Sequence, residues 1–213
     1  MCWACAFDAF KPDTIAPIFK IVKEEIGKLD ILINNVGGTS LEFETEFRNI
    51  TDEAWEKMFQ FNLMSMVRFT RCAIPFLLKG RNPSIVNVAT APVKQPGISN
   101  AHYVAAKTAM VSVSKHLANE YGRFNLRVNT VCPGSIKGES WDEAASDRAH
   151  RKQIPYEEAY RSMQKEVESK TPLGRLAIPH EIASYIVFLC SAGASHITGT
   201  CVNVDGGMNR STF

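Results

Sequence analysis

The sequence predicts an α/β protein with a doubly wound, open parallel sheet. Two observations carry this. Four short β-branched runs, at residues 29–36, 84–89, 126–131 and 200–204, are apolar on both faces, as strands are when helices cover both sides of a sheet. Between them lie segments of helical period at 13–26, 51–78, 101–121 and 179–192, so strands and helices alternate and a parallel order follows. The chain of 213 residues suits a single domain with a substantial core.

The strands read LDILINNV, SIVNVA, LRVNTV and TCVNV, each ending near an asparagine, threonine or proline-glycine turn. Ligands of such sheets bind beyond the carboxyl ends of the strands, which makes those ends the place to look for a site. One stretch departs from the alternation. Residues 138–170 are polar and charged, with one short helix expected over 156–169, and they follow a strand end. That position makes 138–170 a candidate substrate lid, with Trp141, Ile154, Tyr156 and Tyr160 giving it an apolar and aromatic inner surface.

Composition excludes several classes. Charge is nearly balanced, 24 Lys+Arg against 22 Asp+Glu for a net of +2, which gives no sign of a nucleic-acid or membrane partner. No apolar run approaches the ~20 residues of a membrane-spanning helix, and no signal peptide opens the sequence, so a cytoplasmic, reducing location is expected. The six cysteines sit mostly in apolar segments without paired spacing. Cys2 and Cys5 have C-x-x-C spacing, but no second ligand pair accompanies them and no metal site is expected.

The residues with chemical content cluster near the strand ends. Tyr103 and Lys107 are spaced i, i+4 and share one helical face, where an ammonium beside a phenol would lower the phenol's pKa toward the range of a general acid/base. Thr90 ends the strand before them, and its hydroxyl is suited to hydrogen-bond a substrate oxygen or the Tyr103 phenol. Asn62 lies in the long helical region and offers an amide to a water or carbonyl. Asn34-Asn35-Val36-Gly37-Gly38 and Pro133-Gly134 each close a strand with residues that let backbone approach a flat ligand.

NNVGG at Asn34 to Gly38, FNL at Phe61 to Leu63, IVNVAT at Ile85 to Thr90, YVAAK at Tyr103 to Lys107, RVNTVCPG at Arg127 to Gly134 and ITGTCVNVDGG at Ile197 to Gly207 occur in order. With these motifs the chain resembles the short-chain dehydrogenase/reductase family. The resemblance implies a Rossmann-like fold and an oxidoreductase that uses NAD or NADP to interconvert an alcohol and a ketone or aldehyde by hydride transfer. It implies Asn62, Thr90, Tyr103 and Lys107 as the catalytic set. Tyr103 is then the proton donor or acceptor, and Lys107 lowers its pKa and holds the nicotinamide ribose. Asn62 anchors a water that relays protons to Lys107. For the cofactor the resemblance implies Asp8 against adenine, together with Asn34, Gly37, Tyr103, Lys107, Pro133, Gly134 and Ile136. It also implies a homodimer or homotetramer formed through 51–78 and 101–121.

Three departures from the family pattern stand out. A threonine, Thr90, occupies the serine position. The P-G-x-x-x-T loop reads Pro133-Gly134-Ser135-Ile136-Lys137-Gly138, so its threonine is lacking and Ser140 is the nearby hydroxyl. The glycine-rich turn T-G-x-x-x-G-x-G does not occur. The expectation is therefore a single incomplete domain over 1–213, lacking the N-terminal β-α-β-α-β portion of roughly 50 to 60 residues, with residues 3–7 as the remnant of its third strand. A noncatalytic relative that serves only as an oligomer or interaction partner is the alternative expectation.

Overall fold

The structure is a computed structural model that describes residues 2–39 and 46–211. Its centre is a four-stranded sheet in the order β1-β2-β3-β4, with β1 Ile31–Asn34, β2 Ser84–Val88, β3 Arg127–Pro133 and β4 Cys201–Val204. All three pairings are parallel, and in register Asn34 lies beside Asn87, Asn87 beside Thr130, and Thr130 beside Cys201. β2 and β3 are buried along their whole length, as the doubly apolar runs require.

Helices cover both faces. α1 (Ala16–Ile21), α3 (Ser65–Leu77) and α4 (Ala101–Tyr121) lie on one side, where Phe19, Ala73, Leu77 and Ala118 pack on Ile85, Leu126 and Val128. Met66, Met110, Ala89 and Cys132 continue this core toward the carboxyl ends. α7 (Pro179–Cys190) covers the other face through Ile182 and Leu189 on Val86 and Val131. Each such large aliphatic side chain contributes on the order of 1.5 to 3 kcal/mol by burial.

Local signals set the helix ends. The Thr51 hydroxyl accepts from the Ala54 amide and starts α2 (Asp52–Phe59), with Asp52 and Glu53 complementing the positive end of the helix. Pro179 opens α7, and the Glu181 carboxylate turns back to the Ile178 amide at 2.9 Å while pairing with Arg175. At the other end of α7, buried Arg127 donates to the carbonyls of Leu189 (2.6 Å) and Ala194 (3.1 Å). α2 and α3 are joined by a π-turn, Gln60–Met64, so the expected single helix over 51–78 is two helices with a wide turn between them.

Two further corrections concern the sequence expectations. Residues 138–170 hold two helices rather than one, α5 (Glu139–Lys152) and α6 (Tyr156–Lys170), clasped by a two-pronged Arg148–Glu166 pair at 2.8 and 3.1 Å. Residues 3–7 form no strand. β1 pairs with β2 alone among the described residues, and Ile31 and Ile33 on it are each 45% exposed.

Candidate active site

The carboxyl ends of β1 and β2 are locked by a buried polar ladder. The Asn34 amide donates to Asn87 Oδ1 (2.7 Å) and Thr70 Oγ1 (3.1 Å), and the Asn87 amide donates to Ser114 Oγ (2.7 Å), which itself donates to Met110 O. Buried amides must find partners, and here two helices and two strands supply them to one another. The Asn34 amide is committed inward and fixes the strand end, which leaves its backbone as the part that faces the turn. Asn35, its neighbour, borders the cavities described below.

Above this ladder the chain turns through Gly37, whose φ of +147° is open to glycine and strained for other residues. The position is also crowded. A Cβ there would come within 2.5 Å of Asn62 Oδ1 and 2.8 Å of Lys107 Nζ. Gly37 therefore brings backbone against both side chains and draws three of the expected site residues together. Asn62 sits in the π-turn, fully buried, and clamps Gly38 from both sides: Oδ1 accepts from Gly38 N (2.9 Å) and Nδ2 donates to Gly38 O (3.1 Å). Nδ2 also donates to Met58 O one turn back, at 3.2 Å.

Lys107 is 3% exposed, and its Nζ donates to Val88 O at 2.8 Å. Burial brings its pKa down to about 8. Tyr103, one turn earlier on α4, is half-buried, and burial raises its phenol above the usual value; the nearby Thr90 hydroxyl works in the opposite direction. The Lys107 ammonium is directed at the Val88 carbonyl, and desolvation has the largest effect on the phenol. Cys132, which sequence reasoning did not single out, lies near both Tyr103 and Lys107, its thiol against Cys201 Sγ at 3.3 Å and held neutral by that contact and by burial. Its place in the same motif as Pro133 and Gly134 was the available signal.

A cavity of about 710 Å³ opens beside this group, bordered by Asn35, Val88, Pro133, Gly134 and Ile136, with Trp141 from α5 and Ile186 from α7 closing other sides. Gly134 is required there, because a Cβ would fall 2.9 Å from the Asp205 backbone. Ser140 also borders it, in the region where the family's threonine is lacking. Of the lid aromatics only Trp141 faces this space; Tyr160 stacks edge-on behind it at 6.3 Å, and Tyr156 bonds to Asp142. A smaller cavity of about 170 Å³ lies on the other side of β1, between Phe7, Asn35 and Phe69. Asp8 borders neither. Its carboxylate accepts from Phe10 N at 2.9 Å and pairs with Lys11, which holds it in the N-terminal turn.

The family model described as enoyl-(acyl carrier protein) reductase matches residues 2–209. A curated relative, the 3-oxoacyl-(acyl-carrier-protein) reductase of Vibrio cholerae serotype O1, is 30% identical over 203 residues, which is 95% of this chain and 76% of the relative. This chain belongs to the short-chain dehydrogenase/reductase family. Solved structures agree with that membership. The ligand-free aldohexose dehydrogenase of Thermoplasma acidophilum superposes with a TM-score of 0.85 at 29% identity, covering 97% of this chain and 78% of that one. The L-sorbose reductase of Gluconobacter frateurii, solved with NADPH and L-sorbose, also gives 0.85 at 29% identity, with 97% and 76% covered. The chain is thus an oxidoreductase of the short-chain dehydrogenase/reductase type with a Rossmann-like sheet, and among its described residues no helix is long and apolar enough to cross a membrane.

Proposed function

We propose that this short-chain dehydrogenase/reductase interconverts a small-molecule alcohol and its ketone or aldehyde, with NAD or NADP as cofactor and Tyr103 as acid/base. The observation that carries the reading is the convergence of Asn62 and Lys107 on Gly37, with Tyr103 one turn before Lys107 on the same helix and the Thr90 side chain near its phenol. The residues present fit the nicotinamide half of a dinucleotide. Gly37 leaves the Lys107 ammonium room at a backbone turn, and Pro133, Gly134 and Ile136 border a cavity large enough for a flat ring. The described residues supply no glycine-rich turn for a pyrophosphate.

When bound, the nicotinamide supplies or accepts the hydride. The proton belongs to this chain. In reduction Tyr103 Oη gives its proton to the carbonyl oxygen, and in oxidation it takes the proton of the hydroxyl. A phenol held neutral by burial is ready to donate, and the Thr90 hydroxyl steadies the phenolate left behind. Lys107, buried beside Gly37, holds the nicotinamide ribose and adds a positive charge near that phenolate. Asn62 keeps the Gly37-Gly38 turn in place for both. Residues 138–170 close over the substrate as a lid, with Trp141 as its inner wall.

The test is Tyr103→Phe assayed on a panel of alcohols and carbonyls with each cofactor. Turnover should fall by ~10² to 10⁴ while cofactor binding, followed by calorimetry, is unchanged. Near-normal turnover in Tyr103→Phe would overturn the assignment.

A further inference from the structure

The turn that follows β4 joins three segments around the proposed site, at Gly134, at the base of the lid and after Thr90. Asp205 is 9% exposed, and its carboxylate accepts from the amides of Gly207 and Asn209, both at 3.0 Å. This closes residues 205–209 into a tight turn. Gly206 O accepts from Leu173 N at the base of the lid, and Val204 O accepts from Gly134 N. The turn then sends its next residues toward the Thr90 segment. The Asn209 amide donates to Ala91 O at 3.2 Å, and Arg210 N donates to Gln95 Oε1 at 2.8 Å.

Ala91 is the residue after Thr90, and it opens a single 3-10 turn in which Thr90 O accepts from Val93 N and Ala91 O accepts from Lys94 N. That turn begins where β2 ends, so Thr90 has strand pairing behind it and only this one loop ahead. A one-turn helix is a weak anchor for a hydroxyl that must meet a phenol. The bond from Asn209 fastens the same carbonyl from the opposite side of the sheet's carboxyl end.

We propose that Asn209 is a positioning residue: held by Asp205, it fixes the Ala91 carbonyl and through it the orientation of the Thr90 hydroxyl toward Tyr103. The inference rests on the reading of Thr90 and Tyr103 as the acid/base pair. Its chemistry is simple, since an amide N–H on a carbonyl is removed by substitution without adding charge to the site.

The test uses the full chain labelled with ¹³C at tyrosine Cζ, whose shift reports hydrogen bonding at the phenol, with the Tyr103 signal assigned by Tyr103→Phe. Thr90→Ala should move that signal. Asn209→Ala should move it in the same direction, and should have no further effect in a Thr90→Ala background, because residues acting through one bond are not additive. Asn209→Leu, which keeps the approximate shape and loses the donor without adding charge, should behave like Asn209→Ala; a space-filling role would leave it like the unaltered protein. Amide exchange at Val93 and Lys94 should quicken roughly 2- to 10-fold in both Asn209 variants, the range of one net hydrogen bond, while the Asn125 amide in the distant turn to Gly122 holds steady. If Thr90→Ala moves the Tyr103 signal and neither Asn209 variant does, or if Asn209→Ala moves it equally with and without Thr90, this inference falls and the acid/base reading stands. A Tyr103 signal indifferent to Thr90→Ala overturns both.

Discussion

Replacing Gly37 by alanine tests the centre of the site with a single methyl group. At φ +147° an alanine is strained, at a cost of about 1 to 3 kcal/mol. The new Cβ would also lie 2.5 Å from Asn62 Oδ1 and 2.8 Å from Lys107 Nζ, well inside contact distance, so both side chains must move. Asn62 cannot move and keep its two bonds to Gly38, and their loss adds roughly 1 to 3 kcal/mol. The sum of about 2 to 6 kcal/mol is a large share of an ordinary domain's ~5 to 15 kcal/mol. Thermal and urea unfolding are the assays, with Gly97→Ala as the control. Gly97 is exposed and has open space where its Cβ would stand, so alanine there should change stability by less than ~0.5 kcal/mol. A Gly37→Ala protein as stable as Gly97→Ala would refute the close approach of Asn62 and Lys107 to this turn.

Three further outcomes are expected. Lys107 titrates at about 8 when folded against an ordinary 10.5, so between those values the unfolded chain holds more protons and stability should rise with pH; urea unfolding from about pH 7 to 10 should show this rise in the unaltered chain and not in Lys107→Met, and equal slopes would refute it. Arg127→Met strips the donors from the carbonyls ending α7 and should cost about 2 to 4 kcal/mol, seen calorimetrically as a melting temperature lower by roughly 5 to 15 °C; an unchanged melt would show those carbonyls are satisfied otherwise. Val67, Phe69, Phe76, Val111 and Val113 remain only partly buried on α3 and α4, and we expect these helices to pair in a symmetric dimer or tetramer, which sedimentation at micromolar concentration would contradict by finding monomer alone.

The strands were legible because burial on both faces leaves an unbroken β-branched run, and 84–89 and 126–131 enclose nearly all of β2 and β3. The catalytic candidates were legible because spacing on one helix is geometry: Tyr103 and Lys107 at i, i+4 must share a face. The π-turn was hidden, since one extra residue in a helical turn leaves the surrounding apolar pattern almost unaltered, yet it holds Asn62, whose amide binds Gly38. α5 was hidden for another reason. Its period is masked by charge on nearly every face, although Glu139 and Asp142 in its first turn and His150, Arg151 and Lys152 in its last follow the helix dipole. Charge order along a polar segment was thus the signal, and apolar periodicity was the wrong one to seek.

The direction of each buried side chain was the least legible of all. Asn34 and Asn35 are identical in chemistry and adjacent in sequence, but the alternation of a strand sends the Asn34 amide into the ladder with Thr70 and Asn87 and leaves Asn35 at the cavities. Lys107 shows the same limit in a helix. Its face was predictable, whereas its partner was not, because a buried ammonium seeks the nearest free carbonyl and the end of β2 provides one at Val88. That choice has a chemical consequence. An ammonium parked on a backbone carbonyl at 2.8 Å is held in place before any ligand arrives, so the cost of ordering its long chain is met in folding, and what binding must supply is only the exchange of one acceptor for another.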